Sequence, residues 1–427
     1  MNLNFKIKSV KYVIPFFAIF YTNCSNITTT SKSPSSYNSS QTCTQGGSVN
    51  APAVNSRALT ISGSDVNAVA VSVGCGYTNQ PCVSVTICAP GSNGSTSCQT
   101  IPNLLLDTGS YGLRIFDSAK TTLGATISTA ALTAVPNLYT CATYGDSSYQ
   151  WGKVMLADVK LGSEVAASVP IQIVEASPTS ETPNVPSGCS SGGYPDSASP
   201  GTYNGILGVG LETQDCGSYC TTYPNSNVYF SCTGNVCSGS TASLGNQITN
   251  PIALMPAGYN NGVALQLSNV GDAGAGSGGA TGYMVLGIGT VANNTPPGGV
   301  QLYQANANLN FRTVFGGQIY TTSFIDSGSN GLFFPDGCVP IDGSGFFTPT
   351  SELGFTATQS SASGANPTII SFNSADQSQS SNLVFNNLTG DGGSMFDWGL
   401  PFFLGRTVYV GISGRSSGLG TGPYWAY

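Results

Sequence analysis

The chain has 427 residues, only 7% of them charged, and a formal net charge of −7. It contains no histidine, which excludes Ser-His-Asp and Cys-His catalysis and His-ligated zinc. Its 12 basic residues form no cluster, which argues against nucleic acid or an anionic membrane surface as an electrostatic partner.

Residues 1–23 read as a signal peptide. Lys6, Lys8 and Lys11 precede an apolar stretch, Tyr12 to Tyr21, that is too short to span a bilayer. Cys24 follows it directly and resembles the lipid-accepting cysteine of bacterial lipoproteins. The expected location is the bacterial cell envelope, as a lipoprotein of the outer membrane or surface held by a lipid at Cys24; otherwise the protein is secreted. Residues 24–57 are rich in Ser, Thr and Asn with no apolar period, as a disordered tether would be.

Short alternating runs follow. Val66–Val73, Cys82–Ile87 and Val169–Val174 read as strands in the first half. Tyr283–Leu286, Ile319–Ile325, Thr368–Phe372 and Val408–Ile412 read as strands in the second. Ser118 to Leu132 has room for a short helix, and Gly and Pro punctuate the whole chain. The fold class is therefore all-β. Residues 177–203 and 212–250 look like insertions. Two lobes are expected, 58–260 and 261–427.

There are 13 cysteines; with Cys24 set aside the remainder is even, as disulfides in an oxidising compartment require. The pairs Cys216/Cys220 and Cys232/Cys237 have the alternative of a metal knuckle, disfavoured by the lack of histidine. Connectivity stays open.

Two segments nearly repeat each other. Leu104-Leu105-Leu106 runs into Asp107-Thr108-Gly109-Ser110-Tyr111-Gly112-Leu113, and Phe324-Ile325 runs into Asp326-Ser327-Gly328-Ser329-Asn330-Gly331-Leu332. An apolar strand entering Asp-(Thr/Ser)-Gly-Ser presents a carboxylate on a tight loop, where glycine lets the backbone turn and the hydroxyls bond locally. Two copies imply one shared site. Apolar-Gly segments follow each copy: Gly205-Ile206-Leu207-Gly208 after the first, Phe402-Phe403-Leu404-Gly405 after the second. Between Asp107 and Gly205, after Ala142-Thr143-Tyr144, Gly145-Asp146-Ser147-Ser148 reads as a hairpin turn.

This ordered set resembles the pepsin-like aspartic proteases. The resemblance implies a bilobal all-β architecture with Asp107 and Asp326 facing each other across a cleft and sharing one proton. It implies that Ser110 and Ser329 hold the carboxylates, that Thr108 and Ser327 brace the loops, and that Gly109 and Gly328 form the turns. It also makes Tyr144 and Gly145 part of a flap over the substrate. Tyr111 and Asn330 depart from the small residues usual in that family. The wording from Cys88 to Ile115 is still closer to an exported bacterial family known only as a domain of unknown function. The expected activity is peptide-bond hydrolysis by a water-activating aspartate pair in a monomer, with no cofactor and no metal. Two alternatives stand beside it: an inactive peptide- or glycan-binding lipoprotein on the same fold, and a surface adhesin.

Overall fold

The computed structural model describes residues 57–117, 131–145, 147–175, 183–190, 194–195, 203–270, 279–378 and 380–427. The expected signal peptide, Cys24, nearly all of the tether, and most of the 118–132 helix and of the 177–203 insertion lie outside these residues.

The fold is all-β. The described α-helical segments, Ser187–Ser190, Gly217–Thr222 and Leu400–Phe403, are a turn or little more. Every run read as a strand from its alternation is one; most bury one face or both, whereas Ile319–Ile325 is buried at Ser323 and Ile325, next to Asp326. Ala68–Val73, for example, buries Val69, Val71 and Val73 and exposes Ala70 and Ser72.

Two sheets carry the structure. In the larger, six neighbouring strands close on themselves: Pro81–Cys88, Gln99–Asp107, Gly205–Val209, Tyr111–Phe116, Glu164–Val174 and Ser148–Leu161, the last pairing back to the first. The same sheet continues through Ala68–Val73, Ala280–Leu286, Gly262–Leu267, Thr407–Gly411, Tyr424–Ala426 and Leu302–Gln304, so it joins early and late parts of the chain. The 212–250 segment adds Tyr229–Thr233 and Val236–Gly239 beside Thr133–Thr143. The smaller sheet has seven strands, ordered Thr368–Ser374, Leu353–Ser360, Phe311–Phe315, Gln318–Ile325, Phe396–Trp398, Leu332–Phe334 and Thr389–Asp391.

One arrangement occurs in both sheets. Gln99–Asp107 runs parallel to Gly205–Val209, which runs antiparallel to Tyr111–Phe116. Likewise Gln318–Ile325 runs parallel to Phe396–Trp398, which runs antiparallel to Leu332–Phe334. The two copies are packed differently. The first sits on aliphatic residues, Leu104, Leu106, Leu113, Ile115 and Leu207. The second sits on a ring cluster, with Phe396 and Trp398 stacked at 4.6 Å and Phe334 edge-on to Phe372 at 5.1 Å.

Five disulfides join described cysteines: Cys75–Cys82, Cys88–Cys98, Cys141–Cys189, Cys216–Cys220 and Cys232–Cys237. The 216/220 and 232/237 sulfurs are bonded to each other, which removes the metal-knuckle alternative. Cys338 is disulfide-bonded as well. Disulfides form and persist in oxidising compartments, and no described helix is long and apolar enough to cross a membrane.

Candidate active site

Asp107 ends one strand of the repeated arrangement and Asp326 follows its counterpart. Each carboxylate is held by its own loop. Asp107 Oδ1 accepts from the Gly109 N–H at 2.8 Å, and Oδ2 accepts from the Ser110 hydroxyl. Asp326 Oδ1 accepts from the Gly328 N–H at 2.7 Å, and Oδ2 from the Ser329 hydroxyl at 2.9 Å. The residue two on and the residue three on do the same work in both copies.

The loops are also locked to each other. The Thr108 N–H donates to Ser327 Oγ at 3.1 Å, and the Ser327 N–H donates to Thr108 Oγ1 at 2.9 Å. Each hydroxyl then donates across, Ser327 to the Leu106 carbonyl at 2.8 Å and Thr108 to the Ile325 carbonyl at 3.2 Å. This exchange brings the carboxylates together. A Cβ placed on Gly328 would stand 2.7 Å from Asp107 Oδ1 and 3.1 Å from Asp326 Oδ1. The two oxygens therefore lie within about 6 Å, the span of two hydrogen bonds of about 3 Å through one water. A Cβ on Gly109 would stand 2.5 Å from Asp326 Cγ. Both glycines are needed because the opposite carboxyl occupies the space of a side chain.

Asp107 and Asp326 are fully buried. Burial pushes both pKa values up, because the charged form loses its hydration. The charge of each partner adds to this, and hydrogen bonds from Ser110 and Ser329 offset part of it. The two carboxyls therefore titrate as one unit that holds a proton between them.

The glycine behind the first loop is where it was expected. Gly208 lies opposite Asp107, and a Cβ there would meet Ser110 Oγ at 2.8 Å. Behind the second loop the position is different. Phe402 and Phe403 belong to the helical turn Leu400–Phe403, and Gly405 lies beyond it. The strand beside Asp326 is Phe396–Trp398, with Trp398 opposite Ile325, and a Cβ on the following Gly399 would sit 1.9 Å from the Gly331 carbonyl.

Tyr144 and Gly145 lie at the end of the hairpin formed by Thr133–Thr143 and Ser148–Leu161. The turn closes through Tyr144 N–H to the Ser148 carbonyl at 2.9 Å and Ser147 N–H to the Tyr144 carbonyl at 3.0 Å. The Tyr144 ring is buried with Leu105, Phe116, Tyr203 and Ile206, and its hydroxyl donates to Gln150 Oε1 at 2.7 Å. Leu105 and Ile206 each stand two residues before a site residue, Asp107 and Gly208, so the hairpin end is packed beside the first loop.

Tyr111 is accommodated by a missing side chain: a Cβ on Gly210 would stand 2.8 Å from its ring. Asn330 is buried, and neither polar atom of its side chain has a hydrogen-bond partner. Its carbonyl accepts from Asn79 Nδ2 at 2.7 Å. Asn79 also donates to the Phe385 carbonyl at 3.0 Å and accepts from the Phe385 N–H at 2.8 Å. The loop that Cys75–Cys82 closes is thereby fastened to the smaller-sheet part of the chain beside the second aspartate.

Asn79 and Asp397 are site neighbours that sequence reasoning missed. Asn79 carries no local signal, because its partners are more than two hundred residues away in the chain. Asp397 does carry one: it is an acid set inside the run Met395-Phe396-Asp397-Trp398. Among the described residues no group of His, Cys, Asp or Glu is placed to hold a metal. A sequence-family model described as "Protein of unknown function (DUF3443)" matches residues 53–427. A search of curated proteins returns no match.

Proposed function

The chain belongs to the DUF3443 family of unknown function, and from the reciprocal aspartate loops we propose that it is an exported aspartic endopeptidase of pepsin-like, two-lobed architecture, 58–260 and 261–427. The observation that carries this reading is the exchange between Thr108 and Ser327, which presents two buried carboxyls to one another. Asp107 takes a proton from a water placed between them as that water attacks the peptide carbonyl. Asp326 gives its proton to the carbonyl oxygen. The proton on Asp107 then passes to the leaving amine as the C–N bond breaks, and the diol oxygen's proton returns to Asp326. Tyr144 and Gly145, at the hairpin end, would close over the peptide and exclude bulk water.

The proposal extends to location. Cys24 takes a lipid, residues 24–57 act as the tether, and a monomer works at the envelope surface on protein or peptide. Intact-mass analysis of the mature N-terminus tests the anchor, and an unmodified Cys24 rejects it.

One observation favours a second reading, a peptide- or glycan-binding protein without turnover. Asp107 and Asp326 are 0% exposed, and Tyr111 and Asn330 stand where pepsin-like enzymes usually have small residues. Digestion of an acid-denatured protein between about pH 3 and 7, with and without a pepsin-type transition-state inhibitor, separates the two. Asp107→Asn and Asp326→Asn should each reduce hydrolysis on the order of 10³-fold or more while the protein still folds. Absence of hydrolysis across that range, before and after limited proteolysis to open the cleft, rejects the peptidase.

A further inference from the structure

Arg114 lies on Tyr111–Phe116, the strand that leaves the Asp107 loop, and it is buried. A cation in such a place needs partners. Its Nη2 donates to Asp215 Oδ2 at 2.9 Å, and its Nη1 donates to Gln172 Oε1. Asp215 is as deeply buried as Arg114 and belongs to the 212–250 segment. Its other oxygen, Oδ1, accepts from the Tyr229 hydroxyl at 2.5 Å, and that hydroxyl accepts from the Ile248 N–H at 2.7 Å. The beginning, middle and end of the segment thus converge on one guanidinium.

Gln172 carries the connection onward to the hairpin that ends in Tyr144. Parallel pairing sets it opposite Arg114. A guanidinium can only donate, so it takes the amide oxygen and turns Nε2 the other way. Nε2 donates to the Thr140 carbonyl at 3.0 Å and to the Gln150 carbonyl at 3.2 Å. These carbonyls stand on the two strands of the hairpin, so one amide spans both. Gln150 is also the residue whose side chain accepts from the Tyr144 hydroxyl at 2.7 Å. On the outer side, Tyr229 pairs opposite Thr140. Thr140, Gln150 and Gln172 are all buried, so bulk water does not compete for these bonds.

We propose that Arg114 is a positioning residue for the hairpin end, and that the 212–250 segment, through Asp215, is the element that sets it. Asp215 compensates the buried cation and fixes the direction of its fork. The fork fixes the Gln172 amide, and the amide holds the two strands just below Tyr144. Arg114 itself is on the strand that follows Asp107, so the chain of bonds sets the distance between the hairpin end and the first aspartate loop. A segment outside the aspartate loops thereby controls how readily Tyr144 and Gly145 open and close.

The inference rests on the peptidase reading only for its effect on turnover, and one arm of the test needs no substrate. Full-length wild type is compared with Arg114→Lys and with the double variant Arg114→Met/Asp215→Leu. Lysine keeps a charge for Asp215 but has no planar fork, so it cannot hold Asp215 and Gln172 in the same geometry. The double variant replaces a buried ion pair by apolar side chains, a change that folded cores often tolerate. Native-state hydrogen exchange reads the Tyr144 and Ser147 amides, which close the turn. In both variants these should exchange on the order of ten-fold faster, while the Tyr111–Phe116 and Gly205–Val209 strands are unchanged. Unchanged exchange at Tyr144 and Ser147, or an equal rise in those two strands, means that the pair serves packing alone and overturns the proposal. In peptide hydrolysis the same variants should raise KM more than they lower kcat, since neither residue touches the aspartates' carboxyls. A fall in kcat with KM unmoved also overturns it. Wild-type protein that hydrolyses nothing, together with faster exchange at the hairpin end in both variants, removes the peptidase reading and leaves the positioning role in place.

Discussion

At the scale of single residues, the site is a set of exchanged hydrogen bonds in which each hydroxyl serves as donor and acceptor together. Ser327 accepts from the Thr108 N–H and donates to the Leu106 carbonyl, with no exposure to water. Ser327→Ala leaves both of those main-chain groups buried without partners. It should lower unfolding free energy by about 2–3 kcal/mol, measured as the shift in urea midpoint at constant m-value. A change under about 0.5 kcal/mol would mean that the loops relax independently. Ser329 donates to Asp326 Oδ2, so Ser329→Ala removes a bond to the carboxyl as well as packing.

At the scale of elements, the hairpin that ends in Tyr144 is tied along its length. Cys141 is bonded to Cys189, and Tyr229–Thr233 pairs with Thr133–Thr143, so the strand that leads to Tyr144 is held on both sides. Tyr144→Phe keeps the ring among Leu105, Phe116 and Tyr203 but loses the bond to Gln150, and it should cost about 1 kcal/mol of stability. Tyr144→Ala removes the ring as well. It should lower kcat/KM partially, far less than Asp107→Asn does; loss equal to that of Asp107→Asn would place Tyr144 in the chemistry itself. This hairpin was legible in the sequence because a Tyr-Gly turn sits between two alternating runs. The loops at Asp107 and Asp326 were legible for the same local reason: glycine and small hydroxyls have a fixed spacing around the acid. The strand behind Asp326 was not. Trp398-Gly399 and Leu404-Gly405 both offer an apolar residue before glycine, and only strand pairing distinguishes them. Asn79 was invisible because its purpose lies at Asn330 and Phe385.

At the scale of the molecule, buried acids give the protein a definite pH dependence. In the unfolded chain an aspartate releases its proton near 3.9. Asp107, Asp326 and Asp397 are all raised above that by burial. Above about pH 4 the folded protein therefore holds more protons than the unfolded chain, and stability declines as pH rises through the folded-state values. Asp158 has the opposite sign. Burial opposes its charge, but it accepts from the N–H groups of Ser168, Gly91 and Gly94, which outweigh that and hold it low. Its contribution is present above about pH 3.9 and is lost as pH falls through its folded value. Thermal midpoints should thus be higher near pH 4–5 than at pH 8, and Asp326→Asn should flatten the decline. A wild-type midpoint that rises steadily to pH 8 contradicts this. Cysteine parity gives a second whole-molecule prediction. The other described cysteines pair among themselves, so Cys338 closes on Cys43 if Cys24 carries lipid, and non-reducing peptide mapping should recover that link. Recovery of a Cys24–Cys338 peptide rejects it.

The larger sheet also sets an order of assembly. Ala68–Val73 borders Pro81–Cys88 on one side, but its other neighbour is Ala280–Leu286, which is held in turn by Gly262–Leu267 and Thr407–Gly411. A chain emerging from its N-terminal side carries a valine-rich strand with one open edge until most of the protein has been made. Four of the five disulfides between described cysteines close over separations of 4 to 10 residues and can form early, without waiting for that edge to be covered. Local loops become rigid first, and the pairing that unites the two ends of the chain comes last. The interval between them is when one copy's open edge can capture another's, so yield on refolding should be governed by chain concentration more than by the redox conditions.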